Sequence, residues 1–232
     1  MHRMLLCLIF LLLTACGGLP SIPQVQSTPE APALLPIQTL LQDSAGWSGQ
    51  MVTLVAALAN THPRVLVSGF DQAGEPIDDK PTGALWLAEP LPAKTAALLR
   101  EGINYAKLRG RLSPPGAYGT DGRYPYQFVA ETASVIVPEQ TTLANVADNS
   151  RSMDGALIEF SGILLIGGDG TLMVDTLSSG GVPPSNARQV KIRGLALAHI
   201  PVNLEQSGAV RFGQVTATGW MQEGVLVPFW VR

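Results

Sequence analysis

The chain has 232 residues, with 15 Lys+Arg against 18 Asp+Glu and a formal net charge of −3. That is a poor global charge for gripping nucleic acid, which normally needs a basic face, so nucleic acid is a disfavoured partner although a local patch is compatible with it. Charged residues are only 14% of the chain, whereas glycine (24) and proline (18) are frequent and β-branched residues recur in short runs. Such runs, separated by Gly/Pro/Asn/Asp turns, point to an all-β protein rather than a helical one.

The chain opens with a short positive start, Met1-His2-Arg3, and an almost unbroken apolar run from Leu5 to Leu13. A transmembrane helix needs roughly 18 or more apolar residues, and this run stops short of that before Gly17-Gly18. It is also apolar all round, unlike a helix that packs one face on a core. Small Ala15 then precedes Cys16, as a signal-peptide cleavage site requires. The segment Leu13-Thr14-Ala15-Cys16 resembles the lipobox of bacterial lipoproteins, in which the cysteine is diacylated and the peptide is cut just before it. The resemblance implies that residues 1–15 are a signal peptide and that Cys16 is the lipidated first residue of the mature protein. The membrane then becomes a partner through the lipid. The expected location is the bacterial cell membrane or outer membrane, facing the periplasm or the exterior. Two or three acyl chains make a stable anchor where one is marginal. The only other cysteine, Cys7, lies in the discarded segment, so the mature chain would hold no disulfide. Loss of Arg3 leaves 14 basic against 18 acidic groups, a net charge of −4.

Residues 16–36 read as a spacer. Five prolines (Pro20, Pro23, Pro29, Pro32 and Pro36) and a single charge, Glu30, favour an extended, poorly folded tether that reaches about 3 Å per residue.

Beyond it the chain repeats a pattern. Thr39-Leu40-Leu41 leads to a strand opening at Gly49, and Thr142-Leu143-Ala144 leads to one opening at Gly155. Near the end of each copy an alternating strand carries an internal glycine, Gly110 and Gly219, the usual mark of a bulge or a barrel corner. Five strands are expected in each half, at 49–59, 64–70, 83–89, 104–112 and 126–137, then at 155–166, 171–176, 188–195, 210–221 and 224–231. Ala93 to Arg100 suits a short helix between the third and fourth strands of the first half. Ile200 to Gln206 stands in that place in the second, although Pro201 and Val202 argue against a long helix there. Gly167-Gly168-Asp169-Gly170 is a hairpin turn. Three strands, a short helix and two strands is the OB-fold order. The expectation is therefore two tandem OB-fold-like Greek-key barrels, at residues 37–138 and 139–232. One larger β-sandwich or barrel built from the same strands is the rival.

Catalytic chemistry is hard to find. No metal-binding helix, cysteine pair or nucleophile elbow is present. Asp148 to Gly155 has the alternating polar residues of a calcium loop, but its glycine falls two places late for one. Asp78-Asp79 reads as a solvated turn. The expected protein is not an enzyme and carries no cofactor or metal. It is expected to be a non-catalytic module for an envelope protein partner or for complex assembly. The alternative is oligosaccharide or single-stranded nucleic-acid binding by a rim joining two loops. Tyr118, Arg123, Tyr124 and Tyr126 belong to the loop before the fifth strand, and His62 and Arg64 to the loop after the first. Tyrosine and arginine combine apolar area with polar tips, which suits stacking on a sugar, a base or a protein.

Overall fold

The computed structural model describes residues 33–59, 62, 64–77, 83–178, 181–195 and 197–232. Cys16, most of the spacer, Asn60, Thr61, Pro63, Asp78 and Asp79 lie outside the described residues. Residues 32–232 cluster as one compact unit, all-β in character, containing two sheets.

The first sheet begins earlier than the spacer reading places it. Ala33–Pro36 forms strand β1, parallel to β2 (Met51–Ala59), with Ala33 opposite Val52 and Pro36 opposite Val55. Leu34 and Leu35 supply apolar area, and Pro36, which has no N–H to give a ladder, stands at the strand's last position. Helix α1 (Ile37–Gln42) follows and buries Ile37 and Leu40, three residues apart on one face. Asp43 then caps α2 (Ser44–Trp47) by accepting from Gly46 N–H at 3.1 Å. The remaining elements of this half are β3 (Val65–Val67), β4 (Ala84–Leu87), α3 (Ala93–Ala96), β5 (Ile103–Leu112) and β6 (Gln127–Ile136). Strand β2 pairs with β3, β3 with β4, β4 with β6, β6 with β5, and β5 with β2, so the five strands close a circuit. Only the β4–β6 pairing in that circuit is parallel.

The second half repeats this plan. Strand β7 (Glu139–Gln140) runs parallel to β8 (Leu157–Gly167), with α4 (Leu143–Asn149) between them. Thr142 caps α4 by accepting from Asn145 N–H at 3.2 Å, and Leu143 and Val146 are its buried face. Then come β9 (Gly170–Val174), β10 (Gln189–Ile192), β11 (Glu205–Ser207), β12 (Val210–Gln222) and β13 (Val225–Val231). Strands β8, β9, β10, β13 and β12 close a second circuit, again with one parallel contact, β10–β13. The Gly167–Gly170 turn is the tight hairpin between β8 and β9. Both helices near the fourth strands differ from expectation. Helix α3 stops at Ala96, well before Arg100. A short 3-10 turn, Leu197–His199, precedes Ile200, and the end of the expected helical stretch, Glu205 and Gln206, pairs with β12 as part of a strand.

The glycines locate the repeat residue by residue. Gly49 and Gly155 have φ of 75° and 83°, which favours glycine. Each aims its N–H at the strand that closes its circuit, at Leu112 O (2.8 Å) and Met221 O (2.9 Å). At Gly110 and Gly219 the register of the last pairing slips by one residue, skipping Glu131 and Phe229. A Cβ at Gly110 would collide with the Val129 carbonyl oxygen, and one at Gly219 would lie 2.7 Å from Val227 O. Both internal glycines therefore mark bulges where two backbones approach closely.

The halves are joined by more than the chain. Phe70 leaves the end of β3 and bridges Trp230 in parallel, its N–H donating to Phe229 O at 2.8 Å. Its ring is fully buried. Trp230 Nε1 donates back to Asp71 O at 2.6 Å, and the Gln38 amide donates to Ser68 O and to Pro228 O. Leu157, Trp220 and Phe229 of the second half belong to the buried core of the first. The second half keeps its own core around Phe160, Leu164, Met173 and Val215.

Candidate binding site

The tyrosine-rich connection between β5 and β6 is a narrow hairpin. Ser113 N–H donates to Gln127 O, Gly116 N–H to Pro125 O, and Tyr118 and Tyr124 exchange backbone bonds of 2.9 and 3.2 Å. A 3-10 turn at Thr120–Gly122 closes the tip, with Gly119, Asp121 and Gly122 all at positive φ. Gly119 is required by space as well as by φ, because a Cβ there would fall 2.8–2.9 Å from the rings of Tyr124 and Trp86. The hairpin thus lies flat on Trp86 of β4.

That geometry uses up much of the expected rim. Tyr124 is buried, with its ring 5.5 Å from Trp86 at an interplanar angle of 31°. The Arg64 guanidinium covers Trp86 at 4.6 Å, a cation–π contact, and donates to Leu87 O (3.2 and 3.1 Å) and Ala88 O. Tyr118 donates its hydroxyl to Pro114 O at 2.8 Å, and Tyr126 packs half-buried on the first core. Arg64, Tyr118, Tyr124 and Tyr126 therefore hold the hairpin in place.

His62 and Arg123 are brought together differently. With Tyr124 they line a cleft of about 200 Å³, whose other walls are Ala59, Val65, Val67, Glu75 and Pro76. Glu75 and Arg123 form no ion pair with any described residue, so the cleft carries one open acid and one open base over an apolar floor. Such a cleft can take a small polar or zwitterionic group, and Glu75 disfavours a polyanion. Glu75 and Trp86 are contributors that sequence reasoning missed. Trp86, one of four tryptophans, was a signal in composition, but nothing local tied Glu75 to Arg123.

A second polar array lies where the halves meet. Glu159 accepts from Thr218 Oγ1 (2.6 Å), Gln140 Nε2 (2.9 Å) and both terminal nitrogens of Arg232 (3.3 and 3.2 Å). Burial alone would raise the Glu159 pKa, but the bonds from Thr218, Gln140 and Arg232 together bring it below the usual carboxylate value. Arg232 in turn stacks 4.2 Å over Trp230. Tyr105 of the first half packs its ring 5.6 Å from that of Phe229, and burial pushes its hydroxyl pKa well up, so it stays protonated. Both Glu159 oxygens are already engaged, which makes this array a structural clasp and a poor proton shuttle.

The stretch read beside a calcium loop is likewise engaged. Asp148 pairs with Arg188 at 3.3 Å, and Asp154 accepts from Gly224 N–H at 2.8 Å. Among the described residues no group of three or more His, Cys, Asp or Glu could hold a metal ion. No protein-family model matches the chain, no curated protein matches it, and no solved structure matches its fold.

Proposed function

We propose that the protein is an envelope lipoprotein, anchored through lipid on Cys16, whose β units form a non-catalytic module for binding a protein partner. We read each unit as an OB-fold-like barrel, because its strands pair in the order first-second-third-fifth-fourth and return to the first, with a parallel third–fifth contact. The observation that carries the functional reading is the fate of the aromatic rings. Rings that would stack on a sugar or a base are packed inward, Trp86 under Arg64 and beside Tyr124. The surface beside β6 instead exposes Leu98, Val129 and Val137. Leu98 and Val137 share one open cleft with Ile103, Val135 and Ile136, and such an apolar surface favours a protein partner over a solvated ligand.

The anchor is tested by Cys16→Ser in the producing cell. The variant should lose acylation and leave the membrane fraction; unchanged mobility and location overturn the anchor. Partner binding is tested by crosslinking the intact protein in its own envelope. A discrete protein adduct is expected, and capture of glycan alone overturns the reading. The cleft lined by His62, Glu75 and Arg123 supports the second reading, oligosaccharide binding. On that reading Arg123→Ala abolishes glycan capture while thermal stability is unchanged.

A further inference from the structure

The five-strand circuits of the two units match strand for strand, yet they treat the edge of their last strand differently. In the second unit β10 pairs with β13 at Ile192 and Leu226, and Arg193 N–H donates to Leu226 O at 2.9 Å. The third strand then departs, and the exposed edge of β13 is filled by Phe70 from the first unit. Phe70 bonds Phe229, the residue skipped at the bulge. In the first unit the same steps occur: Leu87 pairs with Phe128, and Ala88 N–H donates to Phe128 O at 3.0 Å. Glu131 is the residue skipped there. No described strand then fills the edge of β6, although Thr95 Oγ1 donates to Ala133 O further along.

A cleft of about 150 Å³ lies at that open position, between the edge and the connection leaving β4. Buried Leu87 and Leu91 give it an apolar floor, and Ala130, Thr132 and Ala133 of β6 form its opposite wall. Among the described residues its charged lining is Glu89 and Glu131. Open strand edges pair with extended segments through main-chain bonds, and the side pockets set which segment is accepted.

We propose that the edge of β6 at Ala130–Thr132 is a β-augmentation site for one extended segment of a partner protein. The segment places an apolar side chain over Leu87 and Leu91, with lysine or arginine on either side of it. The proposal rests on the protein-binding reading and names the site and the partner's chemistry. The molecule shows what fills the equivalent edge, an extended segment carrying a buried apolar ring. Two carboxylates in no ion pair with a described residue set the sign of the flanking charges. A second copy is disfavoured as occupant, because Phe70 is already buried in its own molecule and paired Glu131 edges repel.

The probe is a fluorescein-labelled peptide of alternating lysine and phenylalanine or valine, added to the full-length protein in detergent. A peptide with glutamate in place of lysine is the control. Expected are at least tenfold tighter binding of the basic peptide and slowed amide exchange confined to Ala130–Thr132 and Leu87–Leu91. Glu89→Lys with Glu131→Lys should cost at least tenfold, and the acidic peptide should then become the better ligand. Equal affinity for both peptides, protection elsewhere, or binding unchanged in the double variant overturns the site. So does a dimer that the peptide does not dissociate. The same double variant, crosslinked in the envelope, separates the two readings. A protein adduct that persists unchanged leaves the protein-binding reading standing and removes this edge from it. An adduct absent from the parent protein as well removes the broader reading.

Discussion

Replacing Phe70 with alanine should destabilise both units together. The ring has no exposed surface and sits where β3 hands its chain to the edge of β13. Deleting a buried phenylalanine ring costs about 3–5 kcal/mol, the lost transfer energy plus that of the cavity left behind. The Phe70–Phe229 bond is made by the main chain and survives the substitution, so packing accounts for the loss. Against a typical stability of about 5–15 kcal/mol, this is a third or more of the total in most cases. Urea unfolding followed by peptide-resolved amide exchange checks it. The slowest amides of β5 and β12 should both lose protection by the same amount, and Phe70→Leu should recover part of it. A loss below about 1 kcal/mol refutes the packing argument. A loss confined to the first unit refutes the claim that Phe70 binds the two units into one cooperative block.

Gly110→Ala should lower the melting temperature more than Gly219→Ala. At Gly110 the obstruction is the backbone around Val129, whereas at Gly219 the Leu226 side chain is one of the near groups and can shift. Overpacking typically costs about 1–3 kcal/mol, with Gly110→Ala at the upper end; the reverse order in thermal melts contradicts the geometry. Glu159 has a folded pKa below its unfolded one. Its contribution is therefore present above the unfolded carboxylate range and disappears as pH falls through the lowered folded value. Glu159→Gln should be less stable at pH 7, by about 1 kcal/mol, and should show a flatter loss of stability on acidification. An unchanged acid profile, measured by urea midpoints from pH 7 to pH 3, contradicts the clasp.

The sheets were legible because their signals are local. Alternation marked the long strands, and the four repeated glycines lie where φ or a close backbone approach requires them. Short parallel strands carried no such mark. Strands β1 and β7 have four and two residues and no turn joins them to their partners, so Ala33–Pro36 reads as spacer. Residues 64–70 read as one strand, but β3 ends at Val67 because Phe70 belongs to another sheet's edge. The tyrosine loop was legible as a feature but not in its orientation. Composition counts rings, and only packing on Trp86 decides that they face inward. Glu131 and Phe229 are a similar case, since the same bulge position is open in one copy and covered in the other.

Strand β1 also has a mechanical consequence. A pull applied at Ala33 along the strand loads the Ala33–Pro36 ladder against Val52–Val55 in shear, so its bonds resist together instead of peeling one by one. Just beyond the ladder, Gln38 is fastened to Ser68 in one unit and to Pro228 in the other. Traction on the leading end is thereby shared between both halves before either has to open.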